Sequence, residues 1–436
     1  MMSIGKSVRL VWQRFSPQHQ LLVAIMGWPI LFYLKRGEDV FQWALLLQYA
    51  LVVSLFFLAS RQAGWESLGS GYLKQVWILF WGFVLYVTLT TLAHSPIFLN
   101  GIVGYIKHVQ FVPLLLVCSA IGLRPDLLRR WFIPYVLVLI ILLALPLALS
   151  AIGIETLEAA LLYVGPGLHV PGRPVRYSFV FGNPNQFASF LACVMVFCLF
   201  SSISQLRRAR VAIPVFGILL LGGYLVFMTL SRRVWLVLPV VSVFGLALQR
   251  DLRKRLWPIL GASLLLALIL YVLLMASVDD WNHVLRRISK LLVFSDAGDR
   301  QTGPVHQRLL LFGRVIGYLR TPGEWAFGLG AGTIGFAVRR YFDSGYSTVD
   351  GYYAILLGEH GVIGLLLYFA LVLTVLIKLL RAILQRRLAR DRENLAIACV
   401  ASILVVLLAG LAGQSNITFP QALYLWAFLG IGLAVS

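Results

Sequence analysis

The sequence predicts an all-α polytopic membrane protein, and three observations carry that reading. Of 436 residues, 60% are hydrophobic and only 12% are charged, where a soluble domain carries about 25%. The apolar residues collect into runs of about 20, the length of one bilayer-crossing helix. Basic residues crowd every second interval between those runs, the pattern that marks a cytoplasmic side.

Taken in order, the runs predict about twelve helices at 19–35, 41–59, 76–94, 102–122, 131–152, 184–204, 211–230, 234–249, 257–277, 353–377, 394–413 and 418–435. The basic intervals begin with Lys6, Arg9 and Arg14 and end with Arg387, Arg390 and Arg392. Both termini are therefore expected in the cytoplasm. Two larger segments fall on the opposite face, from Gly153 to about Asn183 and over 278–352. The layout is helices one to nine over 1–277, an outer helical segment over 278–352, and helices ten to twelve over 353–436. No cleavable leader is expected, because the first apolar run lacks a small-residue cleavage pattern. Cys118, Cys193, Cys198 and Cys399 all sit in apolar runs and read as small buried hydrophobes.

Within the outer segment, "WNHVLRRISKLLVF" (281–294) reads as a basic amphipathic helix lying on the membrane surface. "VHQRLLLFGRVIGYL" (305–319) reads as a second helix, ended by Thr321-Pro322-Gly323. "GLGAG" (328–332) is expected to be a flexible turn; no strand precedes it, as one precedes a phosphate loop.

The net charge of +20 fits topology, anionic lipid or an anionic substrate, and nucleic acid is not an expected partner. The short stretch "MTLSRRVWLVLP" (228–239) bears on the choice. It puts Arg232 and Arg233 in an outer turn, against the charge rule. They either snorkel to lipid phosphates beside Trp235 or bind an anion, for which a planar fork of donors is well suited. Arg176 and Arg308 share that face. Lys107 and His108 lie in the outer half of helix four, where an ionisable residue is a site candidate; His108 reads equally as a satisfied buried histidine. Several arginines at one boundary suit a multiply charged group, such as the diphosphate of a lipid carrier.

Three stretches, in this order and on one face, resemble the bacterial O-antigen polymerase/ligase family of membrane glycosyltransferases. "RYSFVFGNPNQFA" (176–188) is similar to that family's arginine followed by Asn-Pro-Asn at a helix mouth. "LSRRVWL" (230–236) resembles its Ser-Arg signature, with Arg232 matching and Arg233 in place of a usual glycine. The segment from "QRLLLFGRVIGYLRTPGEWAFGLGAG" into "VDGYYAILLGEHGVIGLLLY" resembles its third region, through Arg308, Gly328, Gly330, Glu359, Gly361 and Gly364.

The resemblance implies a GT-C-like helical fold in the bacterial inner membrane, with its active site facing the periplasm. The implied reaction transfers a glycan from undecaprenyl diphosphate to a sugar hydroxyl, with inversion and without metal or cofactor. The implied partners are the lipid-linked glycan, membrane lipid and a chain-length regulator protein. Arg176, Arg232 and Arg308, supported by Arg233 and Lys107, are expected on the diphosphate. Asp350 is expected as the base that takes the acceptor proton, and it also reads as the N-cap of helix ten. His360 is its rival, expected about 15 Å deeper at 1.5 Å per residue, and His306 is a third candidate. Asn185, Tyr352 and Tyr353 are candidate glycan contacts, although boundary aromatics equally suit an interfacial belt. No His/Asp/Glu set has ligand spacing on the outer face. Family ligases carry His-Asn where this chain has Asp350-Gly351, which favours the polymerase branch and leaves the ligase as the alternative. A transporter or flippase is the reading from another class. It predicts ionisable groups near mid-membrane and broken helices, and it does not need a large outer segment.

Overall fold

The computed structural model describes residues 16–33, 73–151, 183–229, 231–249, 312–334, 351–411, 413 and 421–436. Among them every regular element is helical, and seven helices are long and apolar enough to cross a membrane. The expected helices at 41–59 and 257–277 lie outside the described residues, as does most of both outer segments. The other expected helices fall on α1 (Pro17–Tyr33), α2 (Lys74–His94), α3 (Phe98–Val109) with α4 (Pro113–Ile121), and α5 (Ile133–Ala151). The series continues with α6 (Pro184–Ser202), α7 (Ala209–Met228), α8 (Arg232–Ala247), a short α9 (Pro322–Phe327), α10 (Tyr352–Leu384), α11 (Arg390–Gly410) and α12 (Gln421–Val435). Proline sets one joint: Pro113 has no N–H to give, so the chain turns over 110–112 between α3 and α4.

Helices α6 and α11 form the axis of the bundle. Their spans are 89% and 83% buried, against 28% for α7, which leaves α7 on the rim. Small side chains let the two approach closely, as is usual where helices meet in a membrane. Cys193 Sγ donates to the Ser402 carbonyl, and Ser402 Oγ donates to the Cys193 carbonyl at 3.1 Å. All four cysteines are buried free thiols. At one end of the bundle, Arg129 donates to Asp391 at 3.1 Å and Ser204 donates to the same carboxylate. These bonds tie the π-helical turn Leu128–Phe132 before α5 to the start of α11 and the end of α6.

Helix α10 departs from expectation. It reads as one continuous span, yet Gly361 has φ 64° and ψ −171°, and the chain folds back there. Tyr352 and Tyr368 are sixteen residues apart, about 24 Å along a straight helix, but their ring centroids are 5.2 Å apart. Tyr353 and Phe369 are similarly close, at 5.1 Å. The half-helix 352–360 therefore lies back against the span 362–384, which at about 34 Å crosses a bilayer unaided.

A break in a membrane helix strands main-chain groups that lipid cannot satisfy. Here the glycine turn satisfies them. Leu329 N donates to Gly358 O at 2.9 Å, and Gly330 N donates to Glu359 O at 3.0 Å. The Tyr86 hydroxyl lies 2.9 Å from both the His360 and Ala326 carbonyls. The turn 328–332 is thus a buried wedge rather than a flexible loop. Gly330, at φ 90°, passes so near the Ser95 backbone that a Cβ would lie 2.4 Å from Ser95 N. A helix over 312–318 ends just before Thr321-Pro322-Gly323, as expected, and the same residues also begin α9. Thr321 accepts from Glu324 N, and the Glu324 carboxylate accepts from Thr321 N and Arg320 N. Those two main-chain donors, Thr321 first, hold the Glu324 carboxyl below its usual range.

Gly361→Ala places a Cβ 2.3 Å from the Ala326 carbonyl at a positive φ. It is expected to cost about 2 kcal/mol or more. Gly317→Ala, which meets nothing within 4 Å, is expected to change stability by no more than about 0.5 kcal/mol. Thermal unfolding of both variants in detergent checks the contrast.

Candidate functional site

The Asn-Pro-Asn stretch builds the mouth of α6. Asn183 is the N-cap, its side chain accepts from Asn185 N at 2.9 Å, and Pro184 follows at the first helical position. Pro suits that position because its missing N–H has no intrahelical partner there. Asn185 then reaches sideways: its Oδ1 accepts from Ser231 Oγ at 3.0 Å. Ser231 is the N-cap of α8, and Arg232 is the first residue of that helix. The Asn-Pro-Asn and Ser-Arg stretches, 46 residues apart along the chain between Asn185 and Ser231, are thus in direct contact.

Neighbouring helix ends join them. Arg233 Nη1 donates to the Ala409 carbonyl in the last turn of α11, at 3.0 Å, where a cation also complements the helix dipole. Tyr352 N, at the start of α10, donates to Gly413 O just past α11. The Gln421 side chain, at the start of α12, donates to the Gln186 carbonyl in α6. The starts of α6, α8, α10 and α12 and the end of α11 therefore meet at one end of the bundle.

Of the site residues read from the sequence, Arg176, His306, Arg308 and Asp350 lie outside the described residues. Gly351, beside Asp350, is at this junction, next to Leu411. Lys107 is half-buried on α3, and Asn185 is half-buried with its amide oxygen engaged by Ser231. Three of the residues read from the sequence, Tyr352, Tyr353 and His360, are buried. Tyr352 and Tyr353 are 1% and 6% exposed, and they pack against Tyr368 and Phe369. The Tyr353 hydroxyl donates to the Leu407 carbonyl at 2.8 Å. Both are core residues, with no ring face open to a sugar. His360 ends the half-helix, just before Gly361. It sits at the reversal, fully buried, with Nδ1 2.8 Å from Thr90 Oγ1 one turn before the end of α2.

Sequence spacing showed no set of metal-ligating residues, but the fold makes one. His108 on α3 meets Glu359 and His360 at the end of the half-helix. His108 Nε2 is 2.9 Å from Glu359 Oε2, and Glu359 Oε1 accepts from Ile334 N at 3.2 Å. The three residues are 3%, 1% and 0% exposed. One signal was visible in the sequence: these three and Lys107 are ionisable residues inside otherwise apolar runs, each a site candidate on that ground. That they meet was not visible, since 251 residues separate His108 from Glu359.

The Asn185–Ser231 contact predicts energetic coupling between the two motifs. A double-mutant cycle of Asn185→Ala and Ser231→Ala, read by thermal unfolding, is expected to give an interaction of about 1 kcal/mol. No protein-family model matches this chain, and no curated protein sequence matches it.

Proposed function

We propose that this chain polymerises oligosaccharide repeat units carried on undecaprenyl diphosphate, at the periplasmic face of a bacterial inner membrane. The observation that supports this reading is the junction itself. Two of the stretches that carry the family resemblance, Asn-Pro-Asn and Ser-Arg, touch through Asn185 and Ser231. The residue after Asp350 reaches the same junction through the α10 start and the end of α11. The two motifs and Gly351, the residue after the candidate base, thus share one end of the bundle, which supports the reading.

In this reading the bond from the anomeric carbon to the diphosphate oxygen breaks as the acceptor hydroxyl attacks from the opposite side. Arg232, with Arg176 and Arg308, takes up the charge that grows on the leaving diphosphate, which preplaced donors do without reorganising. Asp350 takes the proton from the acceptor hydroxyl. The transfer needs no metal on the diphosphate, because the guanidinium groups carry that charge. Asp350-Gly351 in place of His-Asn favours polymerase over ligase.

A transporter is the second reading, favoured by the broken α10 and by the buried ionisable residues beside it. Broken helices in transporters leave carbonyls free to coordinate the ion. The carbonyls of Gly358, Glu359 and His360 are instead taken by Leu329, Gly330 and Tyr86, which weighs against that reading.

The test is chain extension in vesicles holding the purified protein and lipid-diphosphate repeat units, read by gel. Arg232→Ala is expected to abolish extension while the protein still inserts and folds; normal extension by that variant would remove the diphosphate reading. Asp350→Asn is expected to lose far more activity per folded molecule than His360→Ala. The reverse order would move the base to the histidine.

A further inference from the structure

The cluster of His108, Glu359 and His360 joins α3 to the end of the half-helix. Its protonation states follow from its neighbours. Thr90 Oγ1 lies 3.0 Å from the Tyr86 carbonyl and 3.2 Å from the Val87 carbonyl. A helical threonine gives its one hydroxyl hydrogen to such a carbonyl. It is then the acceptor for His360 Nδ1–H at 2.8 Å. That fixes the His360 tautomer and leaves a lone pair on Nε2, which is buried and has no hydrogen-bond partner. His108 shares its Nε2 proton with Glu359 Oε2, and its Nδ1 is also buried with no partner.

An imidazole lone pair held in place by a second hydrogen bond on the opposite nitrogen is how proteins prepare a metal ligand. One donor atom from each of the three residues lies within 4.8 Å of the others. Around a tetrahedral zinc, ligands at about 2.1 Å sit roughly 3.4 Å apart, so closing the set requires a shift of little over an ångström. Two imidazoles and one carboxylate, with a fourth position open, form a donor set for first-row transition ions rather than Mg²⁺ or Ca²⁺.

We propose that His108, Glu359 and His360 form a binding site for a divalent transition-metal ion of the zinc type, which clamps α3 to the reversal of α10. The ion takes the place of the proton shared by His108 Nε2 and Glu359 Oε2. That proton moves to His108 Nδ1, so the imidazole binds in its neutral form through Nε2, and His360 Nε2 completes the protein ligands. Thr90 is a positioning residue that acts through His360. The site stands or falls independently of the glycosyl-transfer reading, because its readout is metal content.

The experiment uses tag-free, full-length protein in detergent, stripped with a chelator and loaded with Zn²⁺ or Co²⁺. The expected result is one zinc per chain, retained through gel filtration, and visible Co²⁺ bands of a four-coordinate nitrogen–oxygen site. His360→Ala and Glu359→Gln are expected to lose the ion. Thr90→Val keeps all three ligands and guards against loss through misfolding; it is expected to weaken affinity by about 10–100-fold. Folded wild-type protein that retains no zinc would overturn the proposal. So would zinc held equally tightly by Thr90→Val and by folded His360→Ala.

Discussion

The architecture turns on one constraint, that a helix broken inside a membrane must find main-chain partners within the protein. At Gly361 the chain leaves the helical region, and the carbonyls just before it lose their usual donors. The turn at 328–332 supplies Leu329 N and Gly330 N, and α2 supplies the Tyr86 hydroxyl. Because those partners come from separate parts of the chain, satisfying the break also fixes α2, α9 and the two halves of α10 against one another. Glycine is what makes this geometry reachable: the turn must pass backbone to backbone against Ser95 at Gly330, and α10 must adopt a positive φ at Gly361.

A second consequence follows at the far end of the half-helix. Since 352–360 folds back, its first residue is carried to the end of α11, where Tyr352 N meets Gly413 O. Without the reversal, the start of α10 would stand about 24 Å from the level of Tyr368, rather than beside it. The reversal is therefore what brings Gly351 to the end of α11. The residues that hold the break lie in the region of resemblance without touching the proposed chemistry. Gly328, Gly330, Glu359 and Gly361 all belong to the frame on which that chemistry depends.

The helices were legible because a span of about 20 apolar residues is a long and simple signal. Their faces were less so. The run from Tyr352 onward is apolar throughout, so nothing in its composition announces that it is two helices. A glycine in such a run reads as tolerated helix, and the Ala326 carbonyl that packs against it comes from 35 residues upstream. Tyr352 and Tyr353 could not be told from boundary aromatics, because the difference lies in Tyr368 and Phe369 folding over them. Thr321-Pro322-Gly323 carried the correct residues for a helix boundary, but proline marks both the end of one helix and the first position of the next. At the junction, the Asn-Pro-Asn and Ser-Arg stretches were visible as motifs, while the hydrogen bond that joins them was not.

Arg233, one of the two adjacent arginines, is engaged within the fold. Snorkelling would send Arg233 outward to lipid phosphates. Instead its guanidinium turns inward and donates to the Ala409 carbonyl, one of the acceptors that the last turn of a helix leaves unpaired. It packs against Gly413, where a Cβ would lie 2.0 Å from Arg233 Nη1 and would make the guanidinium shift. A glycine in place of Arg233 would leave that carbonyl without this donor. Arg233 therefore acts as a helix-end partner for α11, matched to Gly413. In the proposed chemistry, the anion-binding role of the turn falls to Arg232.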